Sequence, residues 1–250
     1  MRRSLHAALF VAALAAALPH PTAAEDLTII STVTTPRGTT RTQTQYLSSS
    51  RMRLSGEDRD TIVDLTSGRI LILDNQRKEY SETSLDELRA FFDQIDSAIA
   101  GRPTFDGTIG ATTSVTVEKG TGGKKVAGYD TEPYILTMGD SMRMEVFMTT
   151  ALDPPARYFD ARKVAYASRG PMARPFVRLY DEMNKIKGFP LATSLDYRLR
   201  VSRRQVSTEA TEVRKGPIPD SVFAARGRDT NARRRRAGWA RPAPQPATRW

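Results

Sequence analysis

Along this chain the spacing of hydrophobic positions switches repeatedly between a period of two and a period near 3.6. Leu27 to Thr35 alternates Ile and Val with Thr and Ser and predicts a strand; Pro36-Arg37-Gly38 turns it, and Thr39 to Leu47 returns as TTRTQTQYL. This second strand carries Thr and Gln on both faces, so it belongs at a sheet edge or beside something wet. Arg51 to Leu54 is a short third strand. The stretch from Thr61 to Ser81 supplies three more: Ile62 and Val63 before the Thr66-Ser67-Gly68 turn, Ile70 to Leu73 before Asp74-Asn75, and Lys78 to Tyr80 after it. Six closely spaced strands with no helix between them pair with their neighbours, which makes the sheet antiparallel.

The period then lengthens. Ser84 with Glu87 three residues later is a capping box, and Leu85, Leu88, Phe91, Phe92, Ile95 and Ile99 recur at helical spacing until Gly101 and Pro103. Strands resume at Thr112 to Glu118 and Lys124 to Tyr129, followed by a hairpin of Glu132 to Met138 and Ser141 to Thr149. In its second strand Met142, Met144, Val146 and Met148 share one face, opposite Arg143, Glu145 and Phe147. Such a stripe packs under a helix as core, or, because methionine is soft and adaptable, forms a greasy ligand surface. Ala156 to Ser168 predicts a short helix. Arg174 to Lys187 predicts another, with Pro175 in its first turn, Phe176, Leu179, Tyr180, Met183 and Ile186 on its apolar face, and Gly188 ending it. Ser194 to Val201 and Val206 to Val213 are the closing strands, and Ile218 to Phe223 is an apolar clip that docks back on the body.

The termini differ from this body in composition. Arg2 and Arg3, the apolar run Ala7 to Leu18, Pro19 and Pro21, and the small residues Thr22-Ala23-Ala24 build a cleavable secretory signal over residues 1–24. Its apolar run is shorter than the roughly 20 residues that span a bilayer. Residues 25–225 then form a single domain, and residues 226–250 a disordered basic tail rich in Arg, Pro and Ala. Of 38 Lys and Arg, two lie in the leader and eight between Arg226 and Arg249; of 28 acids only Asp229 lies in the tail. The body is thus close to neutral and has no basic face for nucleic acid. The tail holds Arg233, Arg234, Arg235 and Arg236 together with both tryptophans, Trp239 and Trp250, a mixture that suits an anionic membrane surface.

Composition also narrows the chemistry. There is no Cys, and the two His, His6 and His20, leave with the leader. Ser-His-Asp and Cys-His catalysis and His- or Cys-ligated zinc are excluded in their usual forms. Asp58, Asp60, Asp64 and Asp74 near turns could pair for a carboxylate-based hydrolase, but nothing in the sequence restrains them. The Gly122-Gly123-Lys124 segment imitates a phosphate loop, yet no Ser or Thr follows the Lys and a strand, not a helix, comes next. No enzyme activity, cofactor or metal is expected.

The meander IVDLTSGRILILDNQRKEYSE (62–82), the hairpin VAGYDTEPYIL (126–136), the exit GFPLATSLDYRLRV (188–201) and the closing IPDSVF (218–223) carry a resemblance. Together they resemble the periplasmic lipoprotein-carrier-like (LolA/LolB-like) superfamily and an uncharacterised exported family of the same build. The resemblance implies an α+β, mainly antiparallel fold: a strongly curved incomplete β-barrel with helices over its concave face. It further implies a periplasmic carrier or binding protein for a hydrophobic ligand, a lipid or lipoprotein acyl chain. Ile62, Ile70, Ile72, Phe91, Phe92, Met142, Met144 and Met148 would line that site. The tail residues would touch membrane, and the protein would be a monomer. The alternative is a non-catalytic envelope structural or interaction protein with a filled core and the tail as its contact element.

Overall fold

The computed structural model describes residues 25–99, 114–167, 174–199, 202–224 and 233–236. Two antiparallel runs of strands build it. The first is β1 (Leu27–Thr34), β2 (Thr40–Leu47), β3 (Arg51–Ser55), β4 (Arg59–Asp64), β5 (Arg69–Asp74) and β6 (Glu79–Ser84). The second is β7 (Val115–Lys119), β8 (Lys124–Val126), β9 (Tyr129–Met138) and β10 (Met142–Thr149), then β11 (Phe189–Leu199) and β12 (Ser202–Lys215). They fuse because β1 pairs with β12, giving the order β6-β5-β4-β3-β2-β1-β12-β11-β10-β9-β7, with β8 attached to β9. The expected α+β, mainly antiparallel architecture is observed, and the sheet stays open rather than closing into a barrel.

The polar strand β2 is not an edge: it lies between β1 and β3. Within 226–250, Arg233–Arg236 form a strand, β13, that adds in parallel to β6 with Arg233 opposite Glu79 and Arg236 opposite Glu82. An otherwise open sheet edge offers unpaired amides and carbonyls that such a strand takes up. The leader and the remainder of the tail lie outside the described residues.

Register decides which residues face inward. Leu27, Leu47, Met52, Val63 and Ile70 stand directly opposite one another across five strands and are each at most 4% exposed. Three helices cover this inner face: α1 (Leu85–Ile99) packs on β6, α2 (Tyr158–Ala167) on β3, and α3 (Arg174–Met183) on β7 and β9. The capping box at α1 is formed: Ser84 Oγ accepts from the Glu87 amide at 3.1 Å, and the Ser84 amide donates to Glu87 Oε2 at 3.1 Å. The Lys163 ammonium ties α2 to α3 by reaching both Asp160 and Asp181 at 2.7 Å. Burial pushes its pKa down, but the two carboxylates outweigh that and hold it above the ordinary lysine value.

The outer face has its own small core. Arg53 and Asp60 form a buried ion pair, with side chains 7% and 6% exposed. Asp60 Oδ1 also accepts from Ser55 Oγ at 2.9 Å and from the Gly56 amide and Asn75 Nδ2 at 3.2 Å. Arg53 Nη1 donates to the Val222 carbonyl at 2.6 Å, so the same guanidinium anchors the C-terminal clip. That clip is a 3-10 turn, Asp220–Phe223, with Phe223 buried and the Arg51 guanidinium 4.7 Å from its ring centroid. The expectation that Ile218 to Phe223 docks on the body is therefore met.

Removing one partner of a buried ion pair strands the other charge at a cost of about 3–5 kcal/mol. Asp60→Ala is accordingly expected to lower stability by about that amount in urea unfolding. A second expectation concerns pH. Asp64 Oδ1 accepts from the Ser67 and Thr66 amides at 2.7 and 2.9 Å, and the Ser67 bond above all holds its carboxyl below the ordinary value of 3.8. A depressed folded value means the contribution is complete above 3.8 and fades as pH falls through the lower folded midpoint. An NMR titration of Asp64 should give a midpoint under 3.8.

Candidate ligand cleft between the sheet and the helices

The residues expected to line a ligand site do not form one surface. Ile70 and Ile72 face inward, Ile70 fully buried and Ile72 partly so. Ile62 does not join them: it stands opposite Arg53 and Leu71, on the outer face with the buried ion pair. In β4 the inward positions are Thr61 and Val63, a one-residue difference that a two-sided hydrophobic run conceals. Phe91 lies on α1, packed at the β6 end of the sheet, whereas Met142, Met144 and Met148 lie on β10 near the other end, with α2 between. The Phe92 side chain, Trp239 and Trp250 lie outside the described residues, and of Arg233 to Arg236 only the backbone strand is described.

The methionine stripe faces inward as its alternation indicated, with Met142, Met144 and Met148 only 2–3% exposed. Side chains so inaccessible to a water-sized sphere have neighbouring atoms on nearly every side. Here the stripe is packed core.

Open space appears instead at the middle of the sheet. Three inner pairs there carry polar side chains: Ile29 opposite Gln45 and Ser31 opposite Gln43 on β1 and β2, and Thr193 opposite Thr208 on β11 and β12. These line a cleft whose helical wall is Tyr158 and Arg162 of α2 and Tyr180 and Met183 of α3. Phe189, Pro190 and Leu191 at the start of β11 form its apolar end. The free space is about 30 Å³, room for one water molecule.

Two irregularities aim side chains into this place. The β1/β12 register shifts between Ile30 and Ser31, and the β10/β11 register shifts between Phe147 and Met148, opposite Pro190. Bulges re-aim side chains and tolerate a proline that lacks an amide donor. Just before β11, Gly188 adopts a φ of +114°, and a Cβ there would meet the Thr149 carbonyl oxygen at 2.5 Å. Only glycine permits that approach, so it sets where Phe189 enters. Tyr158 then stacks on Phe189 with ring centroids 5.0 Å apart.

The cleft is polar on one side, and among the described residues that line it Arg162 carries the one fixed charge and none is acidic. Arg162 Nη2 donates to Tyr180 Oη at 3.3 Å. Gln45 is 8% exposed, and its buried Nε2 has no hydrogen-bond partner among the described residues. Sequence reasoning flagged β2 as too polar for an ordinary strand but could not name Gln45 or Arg162 as neighbours. Among the described residues no cluster of three or more acids or imidazoles is placed to hold a metal. No helix among them is long and apolar enough to cross a membrane.

No family model matches the chain, and no curated protein is significantly similar to it in sequence. Solved structures align with the chain only at low scores. An uncharacterized conserved protein from Thermus thermophilus gives a TM-score of 0.45 at 7% identity, covering 85% of this chain and 91% of its own. MucB in the Pseudomonas aeruginosa MucA/MucB complex gives 0.44 at 13% identity, covering 82% of this chain and 56% of its own. The LolA superfamily protein NE2245 from Nitrosomonas europaea gives 0.28 at 7% identity, covering 82% and 91%. The chain spans little more than half of MucB and 30% of PNGF-II, a further neighbour. At identities and scores this low the lipoprotein-carrier resemblance stays a likeness and bears on neither ligand nor partner.

A buried donor without a partner costs about 1–3 kcal/mol. Replacing Gln45 with Met keeps the volume and removes the donor, so Gln45→Met should raise stability by about 1 kcal/mol in urea unfolding. Unchanged or lower stability would mean that the amide is already satisfied.

Proposed function

We propose that this protein is a non-catalytic, exported binding protein that holds a hydrophobic ligand with a polar end between its sheet and helices. The observation that supports it is the cleft: a polar, donor-bearing wall meeting Met183, Phe189 and Leu191 at the centre of the inner face. Ordinary pockets for such ligands run to roughly 300–1,000 Å³, so the apolar part of the ligand enters by repacking its surroundings. Met52, Met138, Met142, Met144, Met148 and Met183 all belong to the surrounding core. Unbranched and polarizable, methionine repacks at low cost. A sheet of this width curls rather than lying flat, which would give the ligand a half-barrel to sit in. A lipid or lipoprotein acyl chain is the ligand class this reading takes. Native mass spectrometry of the protein isolated from its exported fraction should show a co-purifying lipid mass, and repeated isolation without one would count against a carrier.

A second reading draws on a different observation, the near-complete burial of the methionine stripe. A filled core fits an envelope interaction protein that works through its surface, with the Arg-rich tail as contact element. Vesicles containing anionic lipid separate the two readings. On the second, the full chain binds them and a chain ending at Ala225 does not; on the first, the truncated chain retains its lipid.

A further inference from the structure

We infer that the outer edge of β6 is a docking site for an extended, arginine-rich segment of a partner protein, with the chain's own Arg233–Arg236 strand as the resident competitor. The site lies at the end of the sheet, apart from the cleft, and goes beyond the binding reading above. β6 pairs with β5 on one side, and on the other it receives β13 in parallel, from Arg233 opposite Glu79 to Arg236 opposite Glu82. The edge thus already takes a strand that belongs to neither of the two antiparallel runs. Adding a strand to a sheet edge is a general mode of peptide recognition, in which the main-chain ladder supplies affinity and the residues along it supply specificity.

The occupant is exchangeable, and its class is specified. Arginine is not among the β-branched and aromatic residues that favour strands, so β13 owes its extended form to the edge it lies on. It is 4 residues long, against 8 for β1 at the seam with β12. β6 reads EYSETS, with acids and no base, and the strand seated on it is arginine alone. A cationic segment suits such an edge, and an acidic one meets like charge there. The tether decides when a partner gains entry. The clip ending at Phe223 holds the start of the tail on β3, and only residues 224–232 separate it from Arg233. A short tether supplies an effective concentration of about 1 mM, so a partner segment with a dissociation constant of about 0.1 mM meets roughly tenfold competition.

The test compares the full chain with the same chain carrying Arg234→Pro and Arg235→Pro. Strand amides alternate in direction, so two adjacent prolines remove whichever of them points at β6, and no residue of the core changes. The probe is a synthetic peptide of residues 230–239, and its control has glutamate in place of the four arginines. Backbone NMR follows amide exchange and peptide-induced shifts. In the proline variant, the β6 amides that face away from β5 should exchange about tenfold or more faster than in the natural chain. The arginine peptide should bind the variant about tenfold tighter than the natural chain, with shifts centred on Glu79–Ser84, and the glutamate peptide should not bind. Equal exchange in the two chains, no binding of the arginine peptide to the variant, or shifts centred elsewhere overturns the docking site. Equal binding of the two peptides overturns its preference for arginine. The lipid mass reports on the cleft separately, so failure here leaves that reading standing.

Discussion

The pairing of β1 with β12 is the constraint on which the rest of this molecule depends. Residues from the two ends of the described body, Leu27 to Thr34 and Ser207 to Lys215, form one ladder. Without it there would be two separate meanders, each with a hydrophobic face that a few short helices could not cover alone. With it, Leu27 and Ile29 at the seam join a single core that reaches from Ile70 on β5 to Leu136 on β9. Such a contact between distant parts of the chain must overcome a large loop-closure entropy, so the seam forms only when both meanders supply buried surface.

That seam is also where the fold tolerates polarity. A long apolar rung runs through Leu47, Met52 and Val63, yet the neighbouring rungs carry Gln43, Gln45, Thr193 and Thr208. Buried donors without partners are costly, and cores seldom keep them without a use. The bulges in β1/β12 and β10/β11 lie against the same place, and the Gly188 approach to Thr149 fixes its apolar end. Local irregularity and local polarity coincide there, the combination by which a site differs from a packing layer.

The outer face works by the opposite logic. Arg53 and Asp60 are buried, but every group near them is satisfied: Asp60 by Ser55, Gly56 and Asn75, and Arg53 by the clip carbonyl of Val222. A network of this kind contributes order more than stability. It locks the C-terminal clip on β3, from which the chain goes on to the Arg-rich strand at the far edge of the sheet.

By itself the sequence determined most of the elements. The period-two runs became β1 to β6, Ser84 and Glu87 started α1 where their spacing required, and the methionine alternation put Met142, Met144 and Met148 on a buried face. Side-chain periodicity and capping are local, so the residues that express them are adjacent in the chain. Tertiary structure alone decided which of two hydrophobic faces turns inward, and so sent Ile62 outward and Ile70 inward, because both faces of β4 are buried and alternation cannot rank them. It also decided that β2 is central, that Arg233 to Arg236 extend the edge at β6, and that Gln45 and Arg162 line one cleft. Each of these depends on the pairing of segments far apart in the chain, and a one-dimensional pattern carries no record of its partners.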